Sequence, residues 1–328
     1  MREAAFELAV CAHVEERDRV LARQIGTGVD TRRIADVIVL DPGPDFETRA
    51  SITDRAIPPV VIEAFAASDP RPAAAVDAHP EHAQRAIEHA LDAGALVAER
   101  DGRRTTYRLA RPYPDDWVDS IVAIENKPDL DRPGDLRAQV RHDVSLGVVD
   151  RVVLVTASHV TGAHEHRVPD PVGIWQFDPA SGERRVVREA LSLDPDDWGL
   201  EVLDRDPGAW TIETVDQSAK RRRRIAIAER AYGAGWRPSR SDWPACARCS
   251  AVSVGTATLP DCAWADRIVD PRAECGPDCP GFEAAADPDV APSTPDPDRE
   301  RDNSSAWVRD PPGPYRQVGL DQFSRKSR

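Results

Sequence analysis

The chain has 328 residues, enough for about two domains of ordinary size, and it carries 57 Asp and Glu against 43 Lys and Arg for a net charge of −14. Only three of the cations are lysines (Lys127, Lys220 and Lys326) against 40 arginines, and 38 of the acids are Asp. No apolar run approaches the roughly 18 residues of a membrane span, the composition excludes a collagen and a coiled coil, and the acidic N-terminal stretch is too short for a signal peptide. The expectation is a cytoplasmic protein with no membrane partner.

Residues 1–16 read as a helix with Ala4, Glu7, Cys11 and Val14 on one stripe. Two apolar runs, 20–25 and 34–40, are joined through Gly26, Gly28 and Asp30, the pattern of a hairpin. The second run is apolar on both faces except for Asp36, as expected of a central strand. A separate unit occupies 55–111. In it the pattern predicts helices at 58–67 and 73–78, then a long helix opened by His79-Pro80 with Ala83, Ile87, Ala90 and Leu91 as its apolar stripe, stopped by Gly94. A hairpin follows, 95–100 and 104–109, turning at Asp101-Gly102. Three helices and a two-stranded hairpin resemble a winged helix-turn-helix. Its recognition helix would present His79, Glu81, His82, Arg85 and His89, and its wing Arg103 and Arg104.

The first pattern resumes with a strand at 119–127, a helix at 136–149, a strand at 151–156 and a hairpin of 173–177 with 184–188. The stretch after it is poorly periodic. No element is expected there until a basic helix at 217–232, in a segment 201–242 where Lys220 opens a run of four arginines. A Cys-rich module spans 243–282, and from about 283 the chain is Asp-, Pro-, Ala- and Ser-rich, the composition of a disordered tail.

Without the insert, the order is helix, strand, strand, strand, helix, strand, and polar residues interrupt its apolar surroundings at Glu7, Asp36, Glu125 and Lys127. Period two puts Glu125 and Lys127 on one face of their strand. Buried carboxylates need a cation, a proton or a metal to offset desolvation, and Mg²⁺ prefers such hard oxygen ligands.

Asp36 on the second strand and Glu125-Asn126-Lys127 on the third resemble the PD-(D/E)XK nuclease superfamily, over 1–41 and 117–160. The resemblance implies an α/β, restriction-endonuclease-like αβββαβ core, here in two parts (1–41 and 117–200) around the inserted winged helix, with a C-terminal Cys-rich metal module. Glu7 matches a first-helix Glu, and Gln139 a Gln on the helix after the motif. Asp143 stands where the branch with that Gln often has Tyr. The family's chemistry is hydrolysis of phosphodiesters in DNA replication, repair or recombination. Asp36, Glu125 and the Asn126 carbonyl would hold Mg²⁺ or Mn²⁺, Glu7 would add a ligand, Lys127 would position water, and Gln139 would orient substrate. The alternative is a non-catalytic DNA- or protein-binding adaptor.

Lysine usage strengthens Lys127. The chain uses Arg wherever it needs only a cation, and Arg does not replace a compact point charge. An acidic, Lys-poor composition also resembles that of haloarchaeal proteins. In molar salt basic patches contribute little to nucleic-acid binding, so net acidity leaves a DNA partner open.

Cys246-x2-Cys249 and Cys275-x3-Cys279, with Cys262 between them, point to a metal in a reducing compartment. Tetrahedral Zn²⁺ would take the four paired cysteines, with Cys262 spare or substituting. Some nucleases of the superfamily join an N-terminal Cys to C-terminal ones, which makes an iron–sulfur cluster with Cys11 the alternative. Near the C-terminus Gln317, Leu320 and Phe323 have the Q-x-x-L-x-x-F form of the motif that binds the sliding clamp PCNA.

Overall fold

A computed structural model describes residues 3–15, 19–27, 33–66, 69–131, 136–206, 208–235, 246–254, 257–269, 274–275 and 278–285. The clamp-like motif at Gln317, Leu320 and Phe323, and almost all of the tail expected to be disordered, lie outside them.

Apolar runs with few charges become the inner strands of a mixed six-stranded sheet. β1 (Val20–Gly26) pairs antiparallel with β2 (Ile34–Pro42), and β2 neighbours β5 (Val118–Asn126). β5 and β6 (Arg151–Thr156) are parallel, as are β6 and β7 (Gly173–Asp178), while β8 (Glu183–Arg188) closes the edge antiparallel. The order is β1-β2-β5-β6-β7-β8. Helix α1 (Glu3–Val14) covers one face: Phe6, Val10 and Cys11 share an apolar cluster with Leu21, Val37, Val39, Ile124, Val153 and Val155. The next residues along β2 and β5, Asp36 and Glu125, therefore leave the sheet on the other face. Helix α5 (Leu136–Leu146) makes the crossover from β5 to β6 and ends at Gly147, whose φ of +59° is the left-handed region that favours glycine. The expected helix, strand and hairpin order is present throughout this part. Two short connections, α6 (Gly162–Glu165) and its flanking turns, complete the passage from β6 to β7.

The second compact unit is Pro42–Val118; the first holds the described residues of Met1–Asp41 and Asp119–Asn303. The second unit consists of α2 (Phe46–Ala50), α3 (Pro59–Phe65), a 3₁₀ turn at Ala73–Ala75, α4 (Pro80–Asp92) and a hairpin of β3 (Leu96–Asp101) and β4 (Arg104–Leu109). Pro59 and Pro80 each open a helix, where a missing N–H costs nothing. Val61, Ile62, Phe65, Ile87, Ala90 and Leu96 form the core. Arg49 is fully buried, donates to the Thr53 and Arg55 carbonyls at 2.8 and 2.7 Å, and lies over the Trp117 ring.

Three features depart from the sequence expectations; of the helix expected at 73–78 only the 3₁₀ turn Ala73–Ala75 forms. The poorly periodic stretch holds a hairpin, β9 (Gly199–Asp206) and β10 (Ala209–Val215), whose Leu200, Leu203, Trp210 and Ile212 are exposed. The basic run lies on α7 (Gln217–Gly233) but is not a free cationic face: Arg223 pairs with Glu201, Arg224 with Asp150, and Arg230 donates to the Gly26 carbonyl.

Lys220, taken from sequence for one more charge in that run, is 1% exposed. Its ammonium donates to the Asp194 and Asp197 carbonyls at 2.9 and 2.8 Å, and a Cβ built on Gly147 would lie 3.1 Å from Nζ. Lys220→Met removes both hydrogen bonds and is expected to lower stability by roughly 1–3 kcal/mol. Lys220→Arg brings a wider head into the same space and is not expected to rescue it. Urea unfolding of the three proteins measures both.

Candidate functional site

The site begins with a register constraint. Arg23 pairs with Val37 and Ile25 with Ala35, so Gln24 faces Asp36 across the β1–β2 ladder. Gln24 sits at φ 53°, left-handed backbone that costs a residue with a side chain about 1 kcal/mol or more. Its amide is thereby turned to donate to Glu7 at 2.8 Å and to reach Asp36 at 3.5 Å. Arg23 adds a second hold on Glu7 at 2.6 Å. Asp36 accepts the Asn126 backbone N–H at 2.9 Å, which ties β2 to the Glu125-Asn126-Lys127 end of β5.

On the opposite face from α1, Glu125 is buried and ion-paired with Arg33, which also clamps Asp143 on α5 through Nε at 3.0 Å and through Nη2. Lys127 is only partly buried and donates to Glu3 at 2.9 Å. Gln139 is half-buried on α5, and among the described residues no hydrogen bond joins it to the carboxylates. Of the sequence-predicted residues, Asp36, Glu125 and Asn126 come together, and Glu7 reaches Asp36 through Gln24. Lys127 is held by Glu3 instead of Glu125.

Burial is the main force on the acids. It raises Glu7, with Arg23 pulling the other way and Asp36 adding to the rise. It raises Asp36 against the Asn126 N–H and Arg33, with Glu3 adding. It lifts Glu125 to about 8 against the pull of Arg33, and Asp36 and Asp143 push in the same direction as burial. Burial alone would weaken the charge on Arg33, but the Asp143 and Glu125 carboxylates outweigh it and hold the guanidinium protonated.

Among the described residues Arg23 holds Glu7, and Arg33 holds Glu125 and Asp143, with His142 3.8 Å from Asp143. A divalent ion would add positive charge where burial keeps Glu7, Asp36 and Glu125 above their ordinary values. Among the described residues, the buried Asn126 amide finds no partner for either Nδ2 or Oδ1. Hydrated Mg²⁺ takes one or two protein carboxylates, and Asp36 with Glu125 fits that requirement. Glu7 fits less well, because it descends from the helix on the other face. Accordingly, among the described residues no three His, Cys, Asp or Glu side chains form a ready metal-holding set. That statement includes the cysteines of the C-terminal module: burial and the neighbouring Cys246 and Cys262 thiols raise Cys249 to about 11, and burial with Cys249, Cys262 and Cys279 does the same for Cys275. Cys11, on α1, is buried in the apolar cluster the helix forms with the sheet, and burial raises its thiol.

Arg23, Gln24, Arg33, Glu3 and Asp143 were not singled out for the site from sequence. A signal existed for Asp143: Leu136, Val140, Asp143 and Leu146 form the buried stripe of α5, so a carboxylate on that stripe requires a cation. No local pattern marks Gln24 as left-handed.

No curated protein and no solved structure matches the chain. One family does, described as a family of unknown function (DUF5787), over residues 20–284, a span that includes Asp36, Glu125, Lys127 and the five clustered cysteines but not Glu7. With most of its length matched, the chain belongs to that family.

Proposed function

We propose that the unit carrying Asp36 and Glu125 is a divalent-cation-dependent phosphodiesterase acting on DNA. The observation that carries this reading is the meeting of Asp36 on β2 with the Glu125-Asn126-Lys127 end of β5, where burial raises both carboxyls. Asp36, Glu125 and the Asn126 backbone carbonyl would hold Mg²⁺ or Mn²⁺. When bound, such an ion polarises a phosphate oxygen and lowers the pKa of an attacking water. Lys127, bound to Glu3 in the free protein, would offset the negative charge that develops on the phosphate. Gln24 acts as a positioning residue, keeping Glu7 and Asp36 apart by donating to both. The second unit offers a DNA partner the exposed His79, His82 and Arg85 at the start of α4, and Arg103 and Arg104 at the hairpin turn.

A second reading has its own support. Arg33 bound to Glu125 and Asp143 is a use of these carboxylates for stability alone, as in an adaptor without catalysis. One assay separates the two: Mg²⁺- and Mn²⁺-dependent cleavage of single-stranded, duplex, flap and branched DNA in molar KCl, with Asp36→Ala and Lys127→Ala beside the wild type. Metal-dependent cleavage lost in both variants is the expected result. Equal cleavage by all three, or none by the wild type, overturns the enzyme reading.

A further inference from the structure

The C-terminal module is a three-stranded sheet of β11 (Cys249–Val254), β12 (Ala257–Cys262) and β13 (Arg267–Ile268). Its register sets Cys249 directly opposite Cys262, a pairing that places Cβ atoms about 5 Å apart on one face. The Cys246–Cys249 turn is closed by the Cys249 N–H on the Cys246 carbonyl at 3.0 Å. A similar turn follows Cys279, whose carbonyl accepts the Phe282 N–H at 2.9 Å. The two turns are stitched together, because Cys246 bridges Ala284 and the Ala247 N–H bonds the Glu283 carbonyl at 2.7 Å. Cys246 and Cys279 are thus brought to the end of the hairpin that carries Cys249 and Cys262, and Cys275 lies within electrostatic reach of Cys249, Cys262 and Cys279.

The module's apolar residues serve elsewhere. Leu259 and Ile268, with Val252 against them, pack into the cluster around α1. Little apolar packing is left for the thiol end, and a segment of about 40 residues rarely supplies enough core to hold such an end closed. Neutral thiols offer one another no attraction, and among the described residues the cysteines do not form a closed metal-holding set. A soft, tetrahedral cation would supply the missing hold.

We propose that this module binds one Zn²⁺ through thiolates, with Cys249, Cys262 and Cys275 as three ligands and Cys246 or Cys279 as the fourth. Spacing alone selects the two pairs and leaves Cys262 spare; the strand register instead makes Cys262 the neighbour of the first pair's second member. Each ligating thiol releases its proton to solvent, and Arg267, cross-strand from Cys262, offsets part of the resulting negative charge. This site is separate from the acidic cluster and stands or falls independently of the nuclease reading.

The full-length chain tests it, with metal content measured after purification and Co²⁺ alone as the probe in metal-free protein. About one zinc per chain is expected, together with the intense visible bands of tetrahedral, thiolate-bound Co²⁺. Cys262→Ser should weaken Co²⁺ binding at least about tenfold and shift its bands, as loss of a ligand does. Cys262→His should restore binding with an altered spectrum, which separates ligation from failure to fold. Cys262→Ser binding Co²⁺ like the wild type overturns the assignment of Cys262. A chain that takes up neither metal, or that carries iron with labile sulfide, overturns the zinc site.

Discussion

Asp36→Asn is expected to reduce metal-dependent DNA cleavage by about a thousandfold, the equivalent of about 4 kcal/mol in the transition state. The substitution isolates charge from shape. An Asn oxygen still accepts the Asn126 N–H, so β2 and β5 stay tied. What disappears is the carboxylate that raises both Glu7 and Glu125 by repulsion. Removing a buried like charge leaves the fold as stable as before or more so, and a simultaneous loss of activity and gain in unfolding temperature is the signature of a residue kept for function. The same measurement identifies the opposite case: activity reduced less than about tenfold with lower stability would make Asp36 a structural acceptor.

Arg33→Met is expected to destabilise the protein by roughly 3–5 kcal/mol, the usual cost of removing one partner from a buried ion-paired group. Glu125 and Asp143 both lose their shared cation while remaining buried. The loss has a defined pH dependence. Glu125 already binds its proton more tightly in the fold, with a pKa of about 8, than in the unfolded chain, near 4.3. Its contribution to stability is therefore full below about pH 4 and declines as pH rises towards 8. Without Arg33 the decline steepens, so the variant should differ most from the wild type at alkaline pH and least in mild acid. Denaturant unfolding at several pH values tests this. Arg33→Met combined with Glu125→Gln and Asp143→Leu should recover most of the stability, because removing the whole charged set costs far less than orphaning part of it.

The framework of the sheet could be read from sequence wherever a buried face imposes a pattern. Residues 34–40 are apolar on both faces because β2 is covered on both, and Asp36 stands out there for the same reason. The crossover helix announces itself through Leu136 and Val140. The β9–β10 hairpin gives no such signal: Leu200, Trp210 and Ile212 lie in solvent, so no core dictates where they fall in the chain. At the site, the acids were legible because charge in an apolar run is conspicuous. Their partners were not. Arg33 precedes its strand among other arginines, and only the fold brings it to residues 92 and 110 positions away. Asp143, seen from sequence as a departure from a nuclease pattern, is the counterpart of that arginine.

Burial of Lys220 has a consequence for how the fold responds to added salt. Added salt screens ion pairs at the surface, such as Arg108 with Glu99 and Arg248 with Glu283, whose side chains are a third or more exposed. The Lys220 ammonium is buried and donates to the Asp194 and Asp197 carbonyls, with the Asp194, Asp196 and Asp197 carboxylates adding to its hold. Its two hydrogen bonds to the turn before β9 are therefore screened less than those outer pairs. As salt weakens the Arg–carboxylate pairs outside, this contact makes up a growing share of what fixes α7 to that turn.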